Sequence, residues 1–268
     1  MPRNDQNGGM EGFMAYRKVI VSGNVMEVYS YEKPPINNLD FESKNDDYDA
    51  LDISNTKLEF EPKDRTEKRR KQTITDARNL TRRLTLMNFG NNDKFITLTY
   101  KENMRDLNKS DDYFKNFIKR FKYKFKLKDF KYIAVRETQK RGAIHYHMIC
   151  NWNVELVNEE EIRYYERLLG EKVWGHGFVD IKPITHVDNV GAYIIKYMTK
   201  NLAIELFKGK KMYLCSKGLK RPVEYKGDEA EMVISVYGLD EKKEVFTNSY
   251  ESEYLGQITY KEYNMNRQ

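Results

Sequence analysis

Residues 132–149 read YIAVRETQKRGAIHYHMI, and the way this stretch divides decides the fold. Tyr132–Glu137 is a run of β-branched and aromatic residues of strand length, and Ala143–Ile149 is another. The polar segment Thr138–Gly142 between them ends in glycine and reads as a turn, so the two runs predict an antiparallel hairpin. Within the second strand His145 and His147 are two residues apart, and a strand of period two sends both imidazoles to one face. With a five-residue loop Glu137 stands opposite Ala143, which puts its carboxylate on the histidine face. A slip of one residue would move it to the other face. Two imidazoles and a carboxylate are a donor set for a divalent cation. The chain has four histidines. His176, between glycines, and His186 have no ligand-like partner spacing and read as non-ligands.

Some fifty residues downstream comes Val190–Lys200, VGAYIIKYMTK. At a helical repeat Tyr193, Lys196, Tyr197 and Lys200 share one stripe, with Val190, Ile194, Ile195, Met198 and Leu202 on the other side. A phenol with a pKa of about 10 needs a nearby cation or metal to attack as phenolate at neutral pH. Lys196 is placed to supply that charge or to hold a phosphate oxygen.

These segments resemble the HUH endonuclease superfamily, and within it the rolling-circle replication initiators (Rep proteins) of plasmids and single-stranded DNA phages. Phe95-Ile96-Thr97-Leu98-Thr99-Tyr100 resembles the first motif, His145-Tyr146-His147 the metal-binding motif, and Tyr193-Ile194-Ile195-Lys196-Tyr197 the tyrosine motif. The tyrosines follow the histidines, as in Rep proteins and transposases and unlike conjugative relaxases. The resemblance spans roughly residues 65–222. It implies an α/β (α+β) nuclease domain whose central antiparallel sheet of about five strands is flanked by helices, with the histidine strand central and the tyrosine helix across its histidine face. It implies Mg²⁺ or Mn²⁺ held by His145, His147 and Glu137, nucleophilic Tyr193 and Tyr197 assisted by Lys196, and a single-stranded or hairpin DNA origin as substrate. A host helicase and DNA polymerase would complete replication. A transposase of single-stranded elements and a non-catalytic module that binds single-stranded nucleic acid are the alternatives.

The charge pattern suits a polyanion. The 268 residues carry a net charge of +6, with 47 Lys and Arg against 41 Asp and Glu, and the basic groups cluster. Residues 63–83 include Arg69, Arg70, Arg82 and Arg83, and Thr73–Leu86 reads as a helix. Asp111–Lys126 reads as a second helix with an apolar stripe of Phe114, Phe117, Ile118, Phe121 and Phe125. Lys119 and Lys122 lie off that stripe, and Tyr123 is placed to stack on an unpaired base. With Arg141 and Lys200 these are the expected DNA contacts. Cys150 and Cys215 give neither a disulfide framework nor a zinc spacing, which suits a reducing, cytoplasmic setting. No apolar run approaches the roughly 18 residues of a membrane span, and no P-loop is present. The expected organisation is an accessory region over 1–65, a nuclease domain over 66–222, and a β-rich extension over 223–268. In the accessory region Tyr16–Val21 and Val25–Tyr31 flank a turn. In the extension Met232–Tyr237 and Gly256–Tyr260 read as strands that either pair with the N-terminal hairpin or extend the central sheet.

Overall fold

The computed structural model describes residues 16–35, 63–184, 189–198 and 211–267. The chain divides into two units. One joins the N-terminal segment to residues 223 onward, and the other ends at Pro222.

In the first unit β1 (Tyr16–Ser22) and β2 (Val25–Tyr31) form the expected hairpin, with Gly23 at positive φ in its turn. Three strands from the C-terminal segment extend it: β8 (Val223–Lys226), β9 (Glu244–Ser252) and β10 (Gly256–Asn264). The order is β8-β1-β2-β10-β9, with every pair antiparallel. Of the two arrangements open to the C-terminal strands, β10 takes the first and pairs with β2 of the N-terminal hairpin. Residues 232–237 are not a strand. They lie in helix α5 (Asp228–Tyr237), which packs Ala230, Val233 and Ile234 on Val19, Met26 and Tyr263. Spacings of three and four put those three residues on one helical face. Asp228, Glu229 and Glu231 sit at the positive end of the helix, and left-handed Gly238 closes it. Reading only the apolar run from Met232 misses both ends.

The second unit is built on the strands β3 (Lys94–Tyr100), β4 (Tyr132–Thr138), β5 (Ile144–Cys150), β6 (Gly177–Pro183) and β7 (Tyr213–Cys215). They form one antiparallel sheet in the order β6-β3-β5-β4-β7, so the histidine strand is central, as expected. Its helices are α1 (Lys63–Asn88), α2 (Leu107–Lys124), α3 (Glu159–Leu168) and the short α4 (Val190–Ile195). A π-helical turn (Leu169–Trp174) extends α3, and a 3₁₀ turn (Lys196–Met198) extends α4. No described helix is long and apolar enough to cross a membrane.

The period of two sorts the strand residues onto two cores. On one face Ile96, Leu98, Tyr146 and Met148 pack against Phe114, Phe117 and Phe121 of α2 and against Leu169, Val173 and Trp174. On the other, Phe95, Ile133, Val135 and Ile149 pack against Leu84 of α1 and Val190, Ile194 and Met198. His145, His147 and Glu137 stand on this second face.

The first core contains a buried polar chain. Arg136 donates from Nε and Nη2 to the two carboxylate oxygens of Asp111, each at 2.8 Å, and its side chain is only 2% exposed. Tyr146 donates its hydroxyl to Asp111 at 2.9 Å and lies 2.8 Å from Ser110 Oγ, which in turn meets Tyr100. Burial pushes the Tyr146 phenol well above the ordinary tyrosine range, so it stays a hydroxyl donor. Removing one partner of such a pair leaves a charge in low dielectric. Asp111→Ala is therefore expected to lower unfolding free energy by about 3–5 kcal/mol, read from urea midpoints. A loss below about 1 kcal/mol would mean that the pair does not anchor α2 to the sheet.

Candidate active site

β5 is paired on both sides, and its neighbours bring the polar groups together. Glu137 of β4 is the direct cross-strand partner of His145. This register lies two residues from the expected pairing with Ala143, because the turn is tighter: Gln139 N–H donates to the Ala143 carbonyl and Gly142 N–H to Gln139. A shift of two preserves the face, so Glu137 still stands beside both histidines.

All three side chains are nearly buried. Glu137 Oε2 lies 2.7 Å from His147 Nε2, and Thr97 Oγ1 lies 3.2 Å from His147 Nδ1. A neutral imidazole with its proton on Nε2 satisfies both contacts: Nε2–H donates to the carboxylate and Nδ1 accepts from the hydroxyl. The rings of His145 and His147 are 6.3 Å apart. Among the described residues no three His, Cys, Asp or Glu side chains converge as an ion would need.

The tyrosine segment lies across this face. Asn189 caps α4 by accepting the Ala192 N–H at 2.8 Å, and the helix tightens to 3₁₀ geometry at Lys196. Tyr197 stacks on His147 with ring centroids 3.7 Å apart. Tyr193 meets Phe95 edge-on at 4.8 Å, and the two tyrosine rings are 6.1 Å apart. Burial, and then a hydrogen bond with Tyr193, push the Tyr197 phenol well above the ordinary tyrosine range. The exposed Lys196 places Nζ 5.2 Å from the Tyr193 ring centroid.

The expected DNA contacts separate. Arg141 is on the tight turn between β4 and β5, at the site end of the sheet, donating to Tyr100 O and Gln139 Oε1. Arg82 is buried on α1 and Arg83 half-buried. Arg69 and Arg70 fall on α1, but their side chains, like Lys200 and His186, lie outside the described residues. Lys119, Lys122 and the 88%-exposed Tyr123 are on α2, whose core lies on the face of the sheet away from the histidines. His176 stacks on Tyr113 at 3.8 Å, away from the candidate ligands. One residue of the site face was missed in the sequence: Asp180 of β6 lies in a cross-strand row with Thr97 and His147. The alternation in Phe178-Val179-Asp180-Ile181-Lys182 was the available signal.

Residues 93–202 match the family described as replication-associated protein ORF2/G2P. The match starts one residue before β3, takes in every candidate ligand and both tyrosines, and supports a replication initiator. No curated protein and no solved structure matches the chain.

The seating of α4 depends on Gly191. A Cβ there would lie 2.5 Å from the Arg82 carbonyl oxygen and 3.0 Å from Leu86 Cγ, both on α1. Alanine is favoured over glycine in a helix by about 0.8–1.0 kcal/mol, whereas overpacking costs about 1–3 kcal/mol. Gly191→Ala is expected to be net destabilising by about 1 kcal/mol or more in urea unfolding. A stabilised variant would show that α1 does not constrain the tyrosine helix.

Proposed function

We propose that this chain initiates rolling-circle replication by cutting single-stranded DNA, or a hairpin origin, and retaining the cut end as a 5′-phosphotyrosine, as HUH endonucleases do. The observation that carries this reading is the Tyr197 ring lying on the His147 ring at 3.7 Å, with Tyr193 beside it. Two phenols, an ammonium group and a His–carboxylate set meet on one sheet face, which a core or a purely binding surface does not require.

In the proposed reaction the Tyr193 oxygen attacks the scissile phosphorus in line. The bond from phosphorus to the 3′ oxygen breaks. The phenolic proton passes to solvent, and the departing oxygen takes one up to become a 3′-OH that primes a host polymerase. Lys196, whose ammonium lies 5.2 Å from the Tyr193 ring centroid, supplies positive charge beside the attacking phenol. Tyr197, whose burial holds its proton, serves as the second phenol and accepts the strand in the return transfer. The phosphotyrosyl bond conserves the phosphodiester energy, so the same step run backwards joins strands.

His145, His147 and Glu137 fit a divalent ion in donor chemistry and in the face they share. Ligation would draw on the lone pairs that now serve the contacts of His147 with Glu137 and Thr97. When bound there, Mg²⁺ or Mn²⁺ would stabilise negative charge on the phosphate oxygens. A neighbouring host helicase would supply the unwinding.

The test incubates the protein with hairpin and single-stranded oligonucleotides from the element that encodes it, in Mn²⁺, and runs a denaturing gel. A protein–DNA band should survive denaturant, vanish with EDTA, and be absent from the Tyr193→Phe/Tyr197→Phe double variant. Lys196→Ala should slow its formation by about 10²–10³-fold, the usual loss when one charge-stabilising group is removed. Intact DNA binding that ignores EDTA, with no covalent band on the cognate origin, would leave a binding module instead of an enzyme.

A further inference from the structure

The free edge of the catalytic sheet carries a second set of features that the strand-cutting step does not use. Phe178 of β6 is paired with Thr99, Thr99 with His145, and His145 with Glu137. Phe178 is thus on the site face, two strands from His145 and about 10 Å away at the usual strand spacing. Its ring is 65% exposed, whereas Val179 and Ile181, which point to the other face, are buried in the core under α2.

A cavity of about 730 Å³ opens beside this ring, between β6 and the face of α3 and its π-helical turn. Lys101, Arg163 and Arg167 line it with cations. Of its carboxylates, Glu166 is engaged by the Ile181 N–H at 2.9 Å, and Glu171 remains on the wall. Gly170, Gly175 and Gly177 also line it. It is also fixed: a Cβ at Gly177 would run into the Thr99 carbonyl, and one at Gly170 would come 3.3 Å from the Gly177 oxygen. The backbone ahead of Phe178 is therefore held close to β3.

We infer that Phe178 and this cavity hold an unpaired nucleotide flanking the cut site, its base stacked on the Phe178 ring and its phosphate met by Lys101 and Arg167. A ring face with nearby guanidinium and ammonium groups is the combination that binds single strands without reading sequence. The inference rests on the reading of the chain as an enzyme of single-stranded DNA, and it takes the strand from the histidine face around the β6 edge to the side on which α3 packs.

The test measures binding of a fluorescein-labelled oligothymidylate by anisotropy, in EDTA, over a range of salt. Phe178→Ala should weaken binding about tenfold, about 1.4 kcal/mol, with the salt slope unchanged, because stacking releases no counterions. Phe178→Trp should restore it. Lys101→Gln and Arg167→Gln should each weaken binding and reduce the slope of log K against log salt by about 0.7. Phe178→Ala binding within about twofold of wild type, or cation variants with unaltered slopes, would overturn the inference. The covalent band is scored separately. If wild type forms none while these binding losses appear, the nucleotide site stands and the enzymatic reading falls. If the band forms and the binding losses do not, the reverse holds.

Discussion

The pairing of β5 on both edges is the constraint on which the second unit depends. Seven consecutive residues, Ile144–Cys150, are all buried, yet they serve two different environments. Ile144, Tyr146, Met148 and Cys150 enter the aromatic core under α2, while His145 and His147 face Thr97, Glu137 and the tyrosine segment. A slip of one residue would drive both imidazoles among Phe114 and Phe117 and turn Tyr146 towards the tyrosines. Tyr146 opposes such a slip. Its hydroxyl reaches Ser110 and Asp111, and Asp111 is held in turn by two bonds from Arg136 of the adjacent strand. A shifted strand would take the Tyr146 hydroxyl away from the Asp111 carboxylate and from Ser110, at a cost of about 1–3 kcal/mol. The polar chain on one face thus holds the register that builds the site on the other.

The tyrosine segment is positioned by contact rather than by helix length. Six residues of α-helix are too few to be stable alone. Val190, Ile194 and Met198 bury against the sheet and α1, Gly191 lets the two helices approach, and Asn189 satisfies a first-turn amide. The tightening to 3₁₀ geometry at Lys196 accompanies the placement of Tyr197 over His147 and Tyr193 against Phe95. The two phenols are chemically unequal as a result. Burial opposes the charged form of Tyr197, whereas Tyr193 has an ammonium group over its ring.

Much of this was legible in the sequence because it follows from periodicity. The alternation in Phe95–Tyr100 and Ile144–Ile149, the phenylalanine stripe of α2, and the Ser22-Gly23-Asn24 turn each state a local rule that the fold obeys. The face of Glu137 was legible even though its partner was not: turn length moved the register by two residues, and face depends only on parity. What stayed hidden depends on non-local pairing. Nothing local decides that β10 meets β2 and not the other sheet, or that β7, three residues long, finishes the histidine sheet. The edge strand β6 hides for a related reason. Only Val179 and Ile181 of its seven residues are buried, so its apolar signal is thin and the exposed Phe178 blurs the alternation. Met232–Tyr237 misleads because an apolar run of six fits a buried strand as well as one face of a helix.

His147 is held by three contacts from three separate elements: Thr97 on β3 at Nδ1, Glu137 on β4 at Nε2, and Tyr197 on its face. Each fixes a different freedom of the ring, namely tautomer, rotation and tilt. Under the proposed function, an imidazole constrained in this way would lose little conformational entropy on taking up an ion, but would give up a charge-assisted hydrogen bond to do so. In the proposed metal-bound form Glu137 would ease that exchange, since the carboxylate that now accepts the Nε2–H bond would itself be a ligand to the same ion. Removing Glu137 would therefore subtract a ligand and also free the imidazole to rotate, whereas removing Thr97 would loosen the ring and leave the donor set whole. The same coupling extends to chemistry, because the Tyr197 ring rests on the imidazole. Whatever turns His147 also moves a phenol, and the face that would bind the ion and the face that would attack the phosphate cannot be adjusted independently.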